Sequence, residues 1–254
     1  MNFVKSLLLI LVVSIALTGC KSKHVDDEKI TPAPELYNEG MSKFAAGDYK
    51  KASLAFERVF FQHPGNDLTP QAELMQAYSL YLSSDYDEAV DVLDIFIKLH
   101  PRNQYVDYAY YLKALANYVQ VSDVQLDQSR TRYAQEGLEE VIQRFPNTKY
   151  AVDAALKIDL VNDHLAGKEM AVGRYYLKKK NPIAAIKRFQ VVIKNYDTTS
   201  HVVEALYRLV ESTLMLGLID EAKKYMTVLE HNYPDSIWYK HSRNAMPHNL
   251  PVIP

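Results

Sequence analysis

The chain has 254 residues, 48% of them hydrophobic and 24% charged, a composition that belongs to ordered globular proteins and excludes a disordered chain. Its 29 basic and 31 acidic side chains leave a net charge of −2, without the basic excess of a general nucleic-acid binder, and its single cysteine, Cys20, excludes an intrachain disulfide. Glycine is scarce at 8 residues, about 3% against a usual ~7%, which argues against glycine-cradled phosphate loops and many-turned β architectures and points to helix.

Residues 1–19 read as a secretion signal. Lys5 supplies the positive start, and residues 7–17 form an apolar run of about eleven, too short for a membrane-spanning helix, which needs ~20. The stretch closes on Leu17-Thr18-Gly19-Cys20, which resembles the lipobox of bacterial lipoproteins. That resemblance implies cleavage before Cys20 and acylation of its thiol and freed amino group. At ~0.8 kcal/mol per buried CH₂, several acyl chains anchor a protein durably. Lys21 after the cysteine implies, by resemblance to the sorting rule of enteric bacteria, the outer membrane. Residues 20–32 are polar and charged, without apolar periodicity, and read as a flexible lipidated tether.

The body, residues 33–239, is repetitive. Pro64, Pro101, Pro146 and Pro234 each close a similar string, and each follows an alanine by twelve residues: Ala52, Ala89, Ala134 and Ala222. A fifth string, Ala185 to Asp197, keeps the spacing with aspartate in place of proline. From each alanine the apolar positions recur at helical spacing, as in Ala52-Ala55-Phe56-Val59-Phe60 and Ala89-Val92-Leu93-Phe96-Ile97. The alanine allows close helix approach, the large residue four later fills the gap opposite, and proline stops the helix. A turn precedes each alanine-led helix, at Gly47-Asp48-Tyr49, Ser84-Asp85-Tyr86, Lys180-Asn181-Pro182 and Gly217-Leu218-Ile219, with another helical pattern upstream. Each unit is therefore helix–turn–helix. The pattern resembles the tetratricopeptide repeat and predicts an all-α, right-handed superhelical solenoid of five such units. The closing residues of the third unit fall 45 after those of the second, which predicts a polar excursion at about 119–132. The fourth falls 51 after the third, and residues 150–165 are expected to extend that helical hairpin.

In tetratricopeptide repeats the first helix of each pair lines the concave face. The aligned positions are Tyr37, Met41 and Phe44, then Leu74, Tyr78 and Tyr81, then Tyr108, Tyr111, Leu115 and Tyr118. Together they predict an aromatic trough whose rings and hydroxyls suit an extended peptide. Packing between repeats competes for each ring taken singly. Further along, Arg174, Lys178, Lys179 and Lys180 form a basic cluster, a candidate for docking an acidic partner surface or a solvated complement to a helix C-terminus. Residues 240–254 form a proline-containing tail, either disordered or laid on a partner.

Several strings then carry a resemblance along the whole chain. They are His100-Pro101 with Val106-Asp107-Tyr108-Ala109-Tyr110-Tyr111-Leu112, Phe145-Pro146-Asn147-Thr148-Lys149-Tyr150-Ala151, Val172-Gly173-Arg174-Tyr175-Tyr176, Leu216-Gly217-Leu218 and Asn232-Tyr233-Pro234. With the lipobox, tether and five units, they resemble the BamD (ComL) family of outer-membrane β-barrel assembly lipoproteins. Ala114 stands where that family usually has glycine and Asp197 where proline is common, and the excursion keeps only Asp127 and Arg130 of the acidic and arginine pattern. The resemblance implies a non-enzymatic scaffold on the periplasmic face of the outer membrane, held there by its lipid. Its implied partners are the central barrel subunit, through that subunit's periplasmic domains, other assembly lipoproteins and unfolded outer-membrane proteins. A tetratricopeptide lipoprotein coordinating cell-wall synthesis or pilus assembly is the alternative of the same shape.

No catalytic group, metal site, cofactor or nucleic-acid partner is expected. His-Glu-x-x-His, Gly-x-Ser-x-Gly, P-loop and dinucleotide-binding patterns are absent from the sequence. His164 beside Asp163 reads as an ordinary helix-surface histidine rather than a catalytic base.

Overall fold

Each apolar stripe forms a helix in the computed structural model, which describes residues 30–247. The signal, Cys20, the tether up to residue 29 and the tail from residue 248 lie outside the described residues. Within them the chain forms eleven helices and no strand. The first three pairs are α1 (Ala33–Ala45) with α2 (Tyr49–Gln62), α3 (Thr69–Leu82) with α4 (Tyr86–Leu99), and α5 (Val106–Tyr118) with α6 (Ser129–Arg144). The next two are α7 (Lys149–Lys178) with α8 (Pro182–Asn195) and α9 (Val202–Met215) with α10 (Ile219–Asn232); α11 (Ile237–Ala245) follows. Helices pack chiefly on their neighbours in sequence, the arrangement of a solenoid.

Two recurrent turns build the stack. Inside four of the pairs the chain reverses through a left-handed residue: Gly47 at φ 77°, Ser84 at 66°, Lys180 at 57° and Gly217 at 74°. The next amide donates back five residues, Asp48 to Lys43 and Asp85 to Leu80 at 2.9 Å, Asn181 to Tyr176 and Leu218 to Thr213 at 3.0 Å, which is the Schellman closure of a helix end. Between pairs the second helix stops on His63, His100, Phe145, Tyr196 or Tyr233, all with φ between −140° and −124° and ψ between 39° and 57°. The carbonyl of each accepts the amide three residues on at 3.0–3.1 Å. Tyr196 does so ahead of Asp197, so this stop does not require the proline.

The alanines that lead each second helix, Ala52, Ala89, Ala134, Ala185 and Ala222, are all fully buried. The core residues opposite them are matched in volume. A Cβ on Gly40 would come within 2.5 Å of the Phe56 ring, and one on Gly173 would meet Phe189 as closely. Where the second helix carries the smaller Leu93, the first helix carries the larger Ala77. Ala114, in turn, faces Gly137 of the next helix.

Two expected boundaries move. The excursion ends at 128 rather than 132, because α6 already begins at Ser129, whose amide is held by Asp127 Oδ1 at 2.9 Å. Residues 150–165 lengthen the first arm of the fourth hairpin into the single 30-residue helix α7, which is about 45 Å long. The tail expected from 240 begins inside α11, whose start is capped by Ser236 Oγ accepting the Tyr239 amide at 3.0 Å.

Candidate functional site

The first helices of three successive pairs bring their aromatic rings together. Phe44 lies 5.6 Å from Tyr78, centroid to centroid, and Tyr78 lies 6.4 Å from Tyr108. The series continues through Tyr150, 5.5 Å from Tyr108 and stacked at 5.1 Å on Tyr111. Tyr118 closes it, with Lys157 Nζ 5.7 Å from its ring centroid. Tyr37 branches onto Phe56 at 5.5 Å and Tyr81 onto Tyr86 at 5.6 Å. Tyr37, Phe44, Tyr78, Tyr81, Tyr108, Tyr111, Leu115 and Tyr118 are half-buried, and Met41 is exposed. Each ring thus packs against a neighbour on one side and keeps surface on the other.

Leu74 is the exception. It is 8% exposed and belongs to the core with Leu93, Phe96 and Leu112, so it does not line the trough. Helix α3 is wedged between α2 and α4 and buries Ala72, Glu73, Leu74, Gln76, Ala77, Ser79 and Leu80, leaving little of its surface free.

Sequence reading missed Tyr150, Asp153 and Lys157, which α7 adds to the trough. The Tyr111 hydroxyl donates to Asp153 Oδ2, which also accepts Lys157 Nζ at 2.7 Å. The lysine hydrogen bond first, and then that of Tyr111, hold the Asp153 carboxyl below its ordinary value. Burial pushes the Tyr108 phenol well above its usual range, and burial followed by the Asp153 bond does the same for Tyr111. Tyr37, Tyr81 and Tyr150 move the same way, chiefly by burial. Tyr37, Tyr81, Tyr108 and Tyr150 therefore keep protonated hydroxyls able to donate to the carbonyls of an extended chain, while the Tyr111 proton is committed to Asp153.

The basic cluster lies at the end of α7. Arg174 pairs with Glu204 of α9 at 3.1 Å. Lys178, Lys179 and Lys180 are exposed and make no ion pair among the described residues; Lys179 Nζ stands 5.8 Å from the Tyr175 ring centroid. The cluster continues into a group that sequence reading also missed. Glu204 pairs with Arg208 at 3.1 Å, and the Arg208 guanidinium lies 5.1 Å from the centroid of Tyr207 and 5.7 Å from that of Trp238. Tyr207 and Trp238 stack at 5.3 Å. No local motif announces this group, because Trp238 arrives from α11 and Tyr207 from α9.

Elsewhere the candidate polar residues support the fold. Arg130 bridges to Asp87 of the preceding pair at 2.7 Å. Asp163 Oδ1 accepts the Ser200 amide and hydroxyl, at 3.1 and 2.8 Å, ahead of α9. Among the described residues no three His, Cys, Asp or Glu side chains cluster as metal ligands, and no helix is long and apolar enough to cross a membrane.

The family described as YfiO, outer membrane lipoprotein, matches residues 30–229. The outer membrane protein assembly factor BamD of Rickettsia prowazekii is 60% identical over 242 residues, covering 95% of this chain and 96% of its own. BamD of Caulobacter vibrioides is 44% identical over 232 residues, 89% of this chain and 75% of its own. BamD of Neisseria meningitidis serogroup A is 31% identical over 253 residues, 94% and 95% respectively. Solved structures superpose loosely; the MamA protein does so with a TM-score of 0.40 at 20% identity, over 86% of this chain and 98% of that one.

Proposed function

The chain belongs to the BamD family of outer membrane protein assembly factors, and on that premise we propose that it is a non-catalytic scaffold that holds unfolded outer-membrane proteins along its aromatic trough. The observation that carries this reading is the unbroken ring series from Phe44 through Tyr78, Tyr108 and Tyr150 to Tyr111. A strand destined for a barrel alternates apolar and polar residues. Half-buried tyrosines accept its apolar side chains on their faces and its backbone carbonyls on their hydroxyls, which gives grip without a fixed sequence.

Anchoring comes from lipid on Cys20, which stands the solenoid on the periplasmic face of the outer membrane. Docking of the central barrel subunit's periplasmic domains falls to the other end, where Arg174, Lys178, Lys179 and Lys180 offer a positive surface to an acidic one. Other assembly lipoproteins share the remaining faces.

The trough is tested with Tyr78→Ala combined with Tyr150→Ala, which removes two rings flanking Tyr108. Affinity for peptides from the strands of an outer-membrane barrel is expected to fall about tenfold or more, the loss of two aromatic anchors, with helicity by circular dichroism unchanged. Unaltered affinity would return these rings to a packing role. The anchor is tested by Cys20→Ser, which moves the protein from the membrane to the soluble periplasmic fraction; a variant still retained tightly in the outer membrane sinks the lipid assignment.

A further inference from the structure

The side of α3 turned away from the trough faces a second groove. Its floor is Glu73, Gln76 and Leu80, roughly 140–160° around the helix from Tyr78. The walls are α2 and α4. The wider part has a volume of about 570 Å³, and a narrower cleft of about 90 Å³ adjoins it across Glu57, Gln76 and Val92.

Three features of the groove point to one kind of occupant. Large apolar side chains stand exposed along it: Leu54 at 59%, Phe61 at 69% and Ile95 at 46%. Its charge is negative, since the only lining cation, Lys50, is already paired with Asp85 at 3.2 Å, while Glu57, Glu88 and Asp91 make no ion pair among the described residues. Glu73 lies in the floor of the narrow cleft, 2% exposed. Its Oε2 meets His100 Nε2 at 2.7 Å, but its Oε1 is buried without a hydrogen-bond partner. A buried carboxylate oxygen left unmet costs free energy, and a cation brought to it recovers that cost. Burial raises the Glu73 carboxyl above its ordinary value, and His100 acts against that rise.

We propose that this groove docks an extended basic segment of a partner protein. One cationic side chain of that segment reaches Glu73, its aliphatic stem lying between Phe60, Phe61 and Ile95. Further cations along the segment meet Glu57, Glu88 and Asp91. Arginine and lysine both present an apolar stem and a charged head, the combination that an apolar cleft with a carboxylate at its base selects. The surface is separate from the trough, so a basic partner and an unfolded barrel strand can be held at once.

The test uses the full-length lipidated protein in zwitterionic phosphatidylcholine nanodiscs, carrying Tyr78→Ala and Tyr150→Ala so that the trough contributes nothing. A fluorescent decapeptide alternating arginine and leucine is titrated against it, beside a glutamate–leucine counterpart. The arginine peptide is expected to bind and the glutamate peptide to fail. Glu73→Gln weakens binding about 30-fold or more, as loss of a buried charged partner does. Glu57→Gln with Asp91→Asn, a change in side chains at the groove's edge that keeps the protein folded, weakens binding less and flattens its salt dependence. A photoreactive residue at position 61 captures the arginine peptide, and one placed instead at position 78 does not. Equal binding by the arginine and glutamate peptides, affinity unchanged in the Glu57/Asp91 variant, or capture at position 78 but not 61 would each overturn the assignment.

Discussion

Tyr111, Asp153 and Lys157 make the trough's one polar junction, and its energetics have a definite sign with pH. Asp153 is held below its ordinary value by Lys157 and Tyr111, so the stability it lends is present above the unfolded aspartate value, ~3.9, and is lost as pH falls through the folded value. Tyr111→Phe removes one of the two bonds. We expect it to cost about 1 kcal/mol at pH 7, the low end for a charged hydrogen bond because the Asp153 side chain is 40% exposed. The gap between variant and parent should narrow as urea unfolding is repeated at pH falling below the unfolded aspartate value, ~3.9, and through the lower folded value, where Asp153 takes up its proton. A gap that stays constant would mean the hydroxyl works through packing alone. Only one partner of this bond is evident from a linear reading. Tyr111 was legible because it sits at helical spacing from Tyr108 and Tyr118, whereas Asp153 lies on the next pair and looks like any surface carboxylate. Leu74 was misread for the converse reason: it shares the stripe of Tyr78, and spacing alone does not reveal that α3 is covered on nearly all sides.

At the scale of elements, the helix pairs were legible because alanine, a large residue four later and a stop twelve later recur five times. What that pattern hides is the length of α7. A repeat read by its stops needs a turn between Pro146 and the fourth unit, but α7 runs unbroken, started by Thr148 Oγ1 accepting the Ala151 amide at 3.2 Å. The helix also exposes Val152, Leu156 and Leu160, four residues apart and so on one side. The turn that ends α7, like that at Ser84, is less well matched to its geometry than those at Gly47 and Gly217. Lys180 holds φ at 57°, a conformation that Gly47 and Gly217 adopt without strain. Lys180→Gly is expected to stabilise the protein by about 1 kcal/mol, raising the melting temperature by ~2–4 °C. The same change removes an ammonium from the basic cluster. Capture of the central barrel subunit after mild crosslinking is therefore expected to fall while stability rises. If stability and capture rise together, Lys180 is a turn residue with no part in docking.

Across the whole molecule the core is divided rather than single. One buried cluster is built on Leu36 and Phe56 of the first pair and closed by Ala72 of α3; another joins the second pair to α5 through Leu93, Phe96 and Leu112. The remaining two meet on α7, which gives Ala154, Val161 and Leu165 to one and Ala166 and Met170 to the other. In a stack of this kind stability is nearly a sum of unit and nearest-neighbour contributions, so damage to one unit stays close to it. Leu36→Ala empties a fully buried site and is expected to cost 2–5 kcal/mol, roughly the usual loss for a core leucine. Amide hydrogen exchange should then lose protection across α1 and α2 and less across α3, while α7 to α10 keep theirs, because none of the Leu36 contacts reaches that far. Loss of protection along the entire chain would contradict this picture and make the solenoid one cooperative unit. Confined loss would mean that the first pair can open while α7 to α10 stay folded, so that the two ends of the stack move independently.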